Sequence, residues 1–207
     1  MDAAAFYSRW SAVYDALATN FPGVAAARRA AAEALVGPGD TVLDVGCGTG
    51  ANLAFLRERV GDSGTVIGVD VAPGALARAR RRVRERGWDN VFLIRGDGAT
   101  LPVERVDAVF GAFVAGMFSD PSVVVSGWRE RADRVGLLFA SRSERNAVWT
   151  PALNAAFSLF VRVANPGRTR RSPVTELERK VTAARAALGN REERTFLGGV
   201  LVLSVAG

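Results

Sequence analysis

Histidine is absent from the sequence, and cysteine occurs once, at Cys47. Without histidine there is no serine-histidine hydrolase triad, no thiol-imidazole pair and no histidine-ligated zinc. One cysteine makes neither an internal disulfide nor a multi-cysteine metal site, so no metal centre is expected. Lysine is scarce too: Lys180 is the one lysine among 27 basic residues. No uninterrupted apolar run approaches the roughly 20 residues needed to cross a bilayer. The opening stretch, with Asp2 at the front and arginines only later, lacks the pattern of a signal peptide, and a cytoplasmic location is the expectation.

What is present is the composition of one folded domain: 207 residues, 49% hydrophobic and 23% charged. The net charge of +6 permits anionic partners without requiring them. The densest basic cluster, Arg78, Arg80, Arg81, Arg82, Arg84 and Arg86, covers more than one face at helical spacing. It reads either as a solvated helix or as a surface for lipid headgroups, nucleic acid or another protein, which keeps a peripheral membrane contact open.

Residues 1–37 have helical periodicity, with Phe6, Trp10, Val13, Tyr14 and Leu17 on one face and a second helix from about Val24 to Val36. The rhythm changes over 38–140. The β-branched run Thr41 to Val45 leads into Gly46-Cys47-Gly48-Thr49-Gly50 and a helical pattern carrying Leu53, Leu56 and Val60. The unit then repeats, with strands expected at Gly64 to Val69, Val91 to Arg95, Val106 to Phe110 and Val135 to Ala140, and helices at Pro73 to Arg86 and Val123 to Glu130. Such alternation predicts a mostly parallel sheet covered on both faces. Residues 142–171 break the pattern with an apolar helix from Pro151 to Val163. Residues 172–207 read as a helix from Thr175 to Leu188 and two closely joined strands, Arg194 to Leu197 and Val200 to Val205, forming an antiparallel pair at the sheet edge.

The strongest signal is Val42-Leu43-Asp44-Val45-Gly46-Cys47-Gly48-Thr49-Gly50. A glycine turn lets a ligand approach the backbone closely, and the helix that follows points free N–H groups at it. Gly46, Gly48 and Ala51 also satisfy the permissive dinucleotide pattern. Asp44 weighs against that reading, since its carboxylate repels a nearby pyrophosphate and suits a cationic or amino-bearing ligand. Asp70, at the end of the second strand, is placed to accept hydrogen bonds from ribose hydroxyls in either case. Asp97 adds a third acid at the same sheet edge. Three carboxylates there suit an adenosine carrying an amino acid better than one carrying two phosphates.

On these residues the chain resembles the class I S-adenosylmethionine-dependent methyltransferases. Gly68-Val69-Asp70, Gly96-Asp97-Gly98-Ala99 and the Val106 to Phe113 segment match that family's later motifs in order and spacing. The resemblance implies a Rossmann-like α/β fold, a seven-stranded mostly parallel sheet with an antiparallel last strand, and S-adenosyl-L-methionine as cofactor. It implies that Asp44, Gly46, Cys47, Gly48, Thr49, Gly50 and Asn52 surround the methionine portion, that Asp70 and Val71 hold the ribose, that Asp97, Gly98 and Ala99 flank the adenine, and that Phe113 lies beneath the cofactor. Tyr7, Arg9, Trp10, Tyr14 and Asp15, with Asp97 to Pro102, look more narrowly like the quinone-biosynthesis and phospholipid methyltransferase branch. Arg131-Ala132-Asp133-Arg134 replaces the glycine pair usual before the fifth strand, so a different turn is expected there.

Methyl transfer from a sulfonium needs alignment and exclusion of water more than a histidine base. Tyr14, Asp15 and Glu144 are the candidate catalytic assistants. The acceptor site is expected from the parts outside the repeating pattern: Tyr7, Trp10 and Tyr14 in the first helix, and Trp149, Phe157 and Phe160 in the 142–171 insertion, which would roof a pocket for a small apolar molecule. Nucleic acid is disfavoured, because the basic groups lack aromatic interleaving and Gly111-Ala112-Phe113-Val114-Ala115-Gly116 carries no base-methylation motif. A noncatalytic cofactor-binding or interaction protein on the same fold is the alternative. A nicotinamide oxidoreductase is a further one, although Lys180 has Glu176, not tyrosine, four positions before it.

Overall fold

The computed structural model describes residues 22–145, 147–164 and 172–207. Seven strands form one sheet: β1 Thr41–Val45, β2 Thr65–Asp70, β3 Val91–Arg95, β4 Val106–Ala112, β5 Ala132–Ala140, β6 Glu192–Phe196 and β7 Leu201–Ala206, in the order β3-β2-β1-β4-β5-β7-β6. Pairing is parallel from β3 through β5, while β7 runs antiparallel to both β5 and β6. Six helices lie among the described residues: α1 Pro22–Leu35, α2 Leu53–Val60, α3 Pro73–Glu85, α4 Pro121–Arg129, α5 Thr150–Ala164 and α6 Pro173–Leu188.

The central strands read as continuous apolar runs because both their faces are buried. On one face Val42, Val66, Ala108 and Phe110 pack against Ala27, Ala31 and Leu35 of α1, Leu53 and Leu56 of α2, and Ala79 of α3. On the other, Leu43, Val69, Val109 and Leu137 meet Val124, Val125 and Trp128 of α4 and Val181, Ala184 and Leu188 of α6. α5 joins through a smaller cluster in which Phe157 and Val161 pack with Val174 of α6. Helix starts follow local chemistry: Asp120 accepts the N–H groups of Ser122 and Val123 ahead of α4, and Ser172 accepts that of Thr175 ahead of α6.

The parallel sheet and antiparallel last strand agree with expectation, and several boundaries differ, β4 running on to Ala112 and α4 starting at Pro121 among them. β2 begins at Thr65, whose N–H donates to the Asp40 carbonyl at 2.9 Å, and runs through Asp70. β5 begins at Ala132, so the residues in place of the glycine pair are already strand, and the Arg131 N–H closes the turn on the Trp128 carbonyl. β6 begins at Glu192, and a 3-10 turn over Leu197–Gly199 separates it from β7. β7 fills the place between β5 and β6, leaving β6 as the edge.

Trp128 ties one face of the sheet to its functional edge. Its indole is 1% exposed, and its Nε1–H donates to the Gly98 carbonyl at 2.9 Å. Gly98 packs so closely on β1 that a Cβ would stand 2.2 Å from Val45 Cγ1. Trp128→Ala is expected to cost about 3–5 kcal/mol of stability through the cavity it leaves. Trp128→Phe, which fills most of the volume but orphans the carbonyl, should cost about 1–3 kcal/mol. Urea denaturation checks both, and a Trp128→Phe variant as stable as the parent would assign no role to the hydrogen bond.

Candidate functional site

In an open parallel sheet the loops at the carboxyl ends of the strands carry ligand sites. Here β1 delivers Asp44 to that edge, in register with Gly68 of β2 and Phe110 of β4. The chain then turns through Gly46, Gly48 and Gly50, with φ of 65°, 55° and 86°. Gly48 shows why the turn needs glycine. Its φ is unfavourable for a side chain, and a Cβ there would meet nothing nearer than the Gly46 carbonyl oxygen at 4.0 Å, so the space beside the loop is open. The Gly46 and Cys47 N–H groups both donate to the Val69 carbonyl, fixing the loop on β2.

Asp44 is fully buried. Its Oδ1 accepts from Asn52 Nδ2 at 2.7 Å, while Oδ2 has no hydrogen-bond partner among the described residues. Burial pushes its pKa up to about 7, the Asn52 hydrogen bond and the Arg28 charge oppose that rise, and the Asp70 charge adds to it. Asn52 stands at the N-cap of α2 but makes no capping bond with its side chain, because its Oδ1 accepts from Arg28 while its Nδ2 donates to Asp44. Arg28 of α1, 5% exposed, donates through Nη1 to Asn52 Oδ1 and lies 5.7 Å from the centre of the Phe113 ring. Phe113, directly after β4, has a φ of 60°, a strained conformation for an aromatic residue and one that recurs at functional sites.

Asp70 closes the same loop from β2. Its Oδ2 accepts the Gly48 N–H at 2.9 Å and its Oδ1 the Ala72 N–H at 2.8 Å, leaving further lone pairs on both oxygens. Val71 beside it is exposed. Asp97 is exposed after β3 and accepts the Ala99 N–H, with Gly98 buried between them. Cys47 is buried, its Sγ filling the space a Gly68 side chain would take. Burial first, then the charges of Asp44 and Asp70, push its thiol well above the usual cysteine range, the opposite of an activated nucleophile. Thr49 is buried in the loop.

The expected cofactor residues thus lie on the turn after β1 and on the ends of β2, β3 and β4. Tyr7, Trp10, Tyr14 and Asp15 lie outside the described residues, as does the side chain of Phe160. Glu144 is exposed after β5, and Trp149 is 64% exposed ahead of α5. Phe157 is buried against α6. Lys180 of α6 donates to the Gly116 carbonyl at 3.1 Å, tethering the loop after β4. Arg82 donates to the Gly50 carbonyl at 2.9 Å, so one member of the basic helix anchors the glycine turn. Sequence reasoning missed Arg28. The signal was its register: it follows Val24 by four residues and precedes Ala31 by three, on the buried stripe of α1.

The donor set fits an adenosine derivative bearing a cationic amino group. Asp44 offers a buried oxygen with spare capacity, the Gly48 turn leaves open space, and Asp70 retains acceptor lone pairs. Known proteins agree. The family described as Methyltransferase domain matches residues 42–130. The chain is 36% identical over 136 residues to a nocamycin O-methyltransferase of Saccharothrix syringae, covering 63% of this chain and 48% of that protein. It is 36% identical over 124 residues to a phosphatidylethanolamine N-methyltransferase of Cereibacter sphaeroides, covering 58% and 57%. The chain spans about half the length of these curated relatives. Its fold is similar to the crystal structure of a SAM dependent methyltransferase from Aquifex aeolicus, with a TM-score of 0.64 at 21% identity, over 100% of this chain and 98% of that one.

The raised pKa of Asp44 has a consequence for stability. The folded protein binds a proton here up to about pH 7, whereas the unfolded chain releases it near the ordinary aspartate value of 3.8. This group's contribution is therefore full below about pH 4 and is lost as pH rises toward 7. Asp44→Asn should remove that slope and melt at a higher temperature than the parent at pH 8, with little difference at pH 4. Melting curves that stay parallel across this range would contradict the assignment.

Proposed function

We propose that the chain works as a class I S-adenosylmethionine-dependent methyltransferase and moves the cofactor's methyl group to a small, apolar or lipid-like acceptor. The observation that carries this reading is the buried Asp44 carboxylate, with an oxygen to spare, beside an open glycine turn and a second carboxylate at the neighbouring strand end. In this reading Asp44 receives the amino group of the methionine portion, and Asp70 accepts from the ribose hydroxyls while holding the Gly48 turn in shape. Asp97, Gly98 and Ala99 form the adenine side, and Phe113 supports the cofactor from beneath. When bound, the cofactor supplies a methyl already activated by its positive sulfur. The chain's task is then to align the acceptor and keep water out.

The acceptor side is read from apolar surface at the same edge. Met117 follows β4, and Val148 and Trp149 precede α5, all at least half exposed, with Leu159 exposed on α5 itself. Large exposed apolar side chains on these segments suit an apolar molecule. The relatives named for nocamycin and phosphatidylethanolamine point to the same class. Tyr14, Asp15 and Glu144 stay the candidates for proton removal where the acceptor needs it.

The purified protein is expected to bind S-adenosylhomocysteine in calorimetry, and no measurable heat or competition would overturn the methyl-transfer reading. Asp70→Ala should weaken that binding by about 1–3 kcal/mol, from the lost acceptor and the loosened turn. A screen with methyl-labelled cofactor against quinone precursors, aminolipids and aromatic polyketides should yield a labelled apolar product. Trp149→Ala should lower kcat/KM for that acceptor while leaving S-adenosylhomocysteine affinity unchanged. An equal loss of both would assign Trp149 to the scaffold.

A further inference from the structure

Arg28 stands out among the buried residues because a guanidinium is seldom taken out of water without a task. It lies on α1, ahead of the sheet and outside the 42–130 family match. Its side chain meets two parts of the site directly and a third through Asn52. Nη1 donates to Asn52 Oδ1, Asn52 Nδ2 donates to Asp44 Oδ1, and the guanidinium sits over the Phe113 ring. The chain of donors has one direction. By engaging the amide oxygen of Asn52, Arg28 turns the amide nitrogen toward Asp44 Oδ1, which leaves Oδ2 as the oxygen without a partner among the described residues.

We propose that Arg28 is a positioning residue for the cofactor's amino end: through Asn52 it sets the orientation of Asp44. The inference rests on the methyl-transfer reading above and deepens it. It needs no contact between Arg28 and the cofactor.

The electrostatics point the same way. A buried carboxylate beside another carboxylate is driven toward its neutral form, and a neutral Asp44 attracts no ammonium. Among the groups acting on Asp44, Asp70 at the end of β2 opposes its ionisation, Arg28 on α1 favours it, and Asn52 on α2 donates to it without bearing charge. The Cys47 thiol in the turn is held protonated and neutral. Phe110, opposite Asp44 on β4, carries no charge. Arg28 is therefore the cation that opposes the rise in pKa and holds the Asp44 transition down to about pH 7.

The test is calorimetric titration with S-adenosylhomocysteine from about pH 6 to pH 8.5, a range that brackets the Asp44 transition. The ligand's own ionisation is common to every protein compared. In the parent, log Kd should begin to rise as pH falls below about 7. Arg28→Gln keeps an N–H for Asn52 but removes the charge, and should move that break upward by about one pH unit, with binding at pH 7.5 weakened about threefold. Arg28→Lys keeps the charge and should leave the break close to the parent's. Thermal melts establish folding of each variant. If Arg28→Gln proves too unstable to purify, Asn52→Leu cuts the same chain without touching Arg28 and should weaken binding with a displaced break. Unchanged affinity in Arg28→Gln, or a loss by the same factor at every pH, would overturn the positioning role while leaving methyl transfer intact. A parent protein with no affinity at all would overturn both.

Discussion

A carboxylate taken fully out of water is the constraint around which this site is built. Asp44 gains one hydrogen bond from Asn52 and the attraction of Arg28, and these do not fully offset the loss of solvent, as its raised pKa records. Such a group is costly in the free protein and becomes useful when a cation reaches it. The neighbouring elements are arranged to make that arrival possible: β1 presents Asp44 at the sheet edge, the turn after it leaves space in front, and Asp70 holds that turn by the Gly48 N–H. The energy withheld in folding is thus available for binding.

The elements around this group have separate supports. α1 contributes Arg28 and is held by the sheet face that also binds α2, while α4 reaches from the opposite face to the loop after β3 through Trp128 and Gly98. Both layers therefore contribute to one edge, and neither side of the site is a free loop. Preorganisation of this kind reduces the ordering that a ligand must impose. The strained backbone at Phe113 belongs to the same pattern, since Arg28 lies against its ring and its N–H is committed to the Leu138 carbonyl at 2.7 Å.

Much of this architecture is legible in the amino-acid sequence. Strands buried on both faces announce themselves as short apolar runs, and spacing alone places the glycine turn with its flanking acids. The features that are not legible are hidden for identifiable reasons. β6 is an edge strand whose Glu192 and Arg194 are exposed and whose Glu193 pairs with Arg185 and Arg191, so no apolar run marks its start, and its register is set by pairing with β7. The start of β5 is disguised by Asp133 and Arg134, which form ion pairs with Arg105 and Asp40. The inward and outward residues of α5 are not separable by pattern, because Phe157 and Leu159 are equally apolar and only packing against α6 tells them apart. Arg28 is hidden by its residue type, since arginine normally marks the exposed side of a helix, although its place in the apolar stripe of α1 is visible. The link from Arg28 through Asn52 to Asp44 joins residues 24 and 8 positions apart and depends on tertiary contact.

The near-absence of lysine acquires a practical meaning from where Lys180 sits. Its ammonium holds the loop that leaves β4 toward the ligand-binding edge. Acylating reagents, dyes and crosslinkers directed at lysine side chains therefore find a single address on this protein, and occupying it releases that loop. Immobilisation or tagging through carboxyls, or through the lone thiol once unfolded, would report on the molecule differently from amine coupling, which modifies the very tether it uses as a handle.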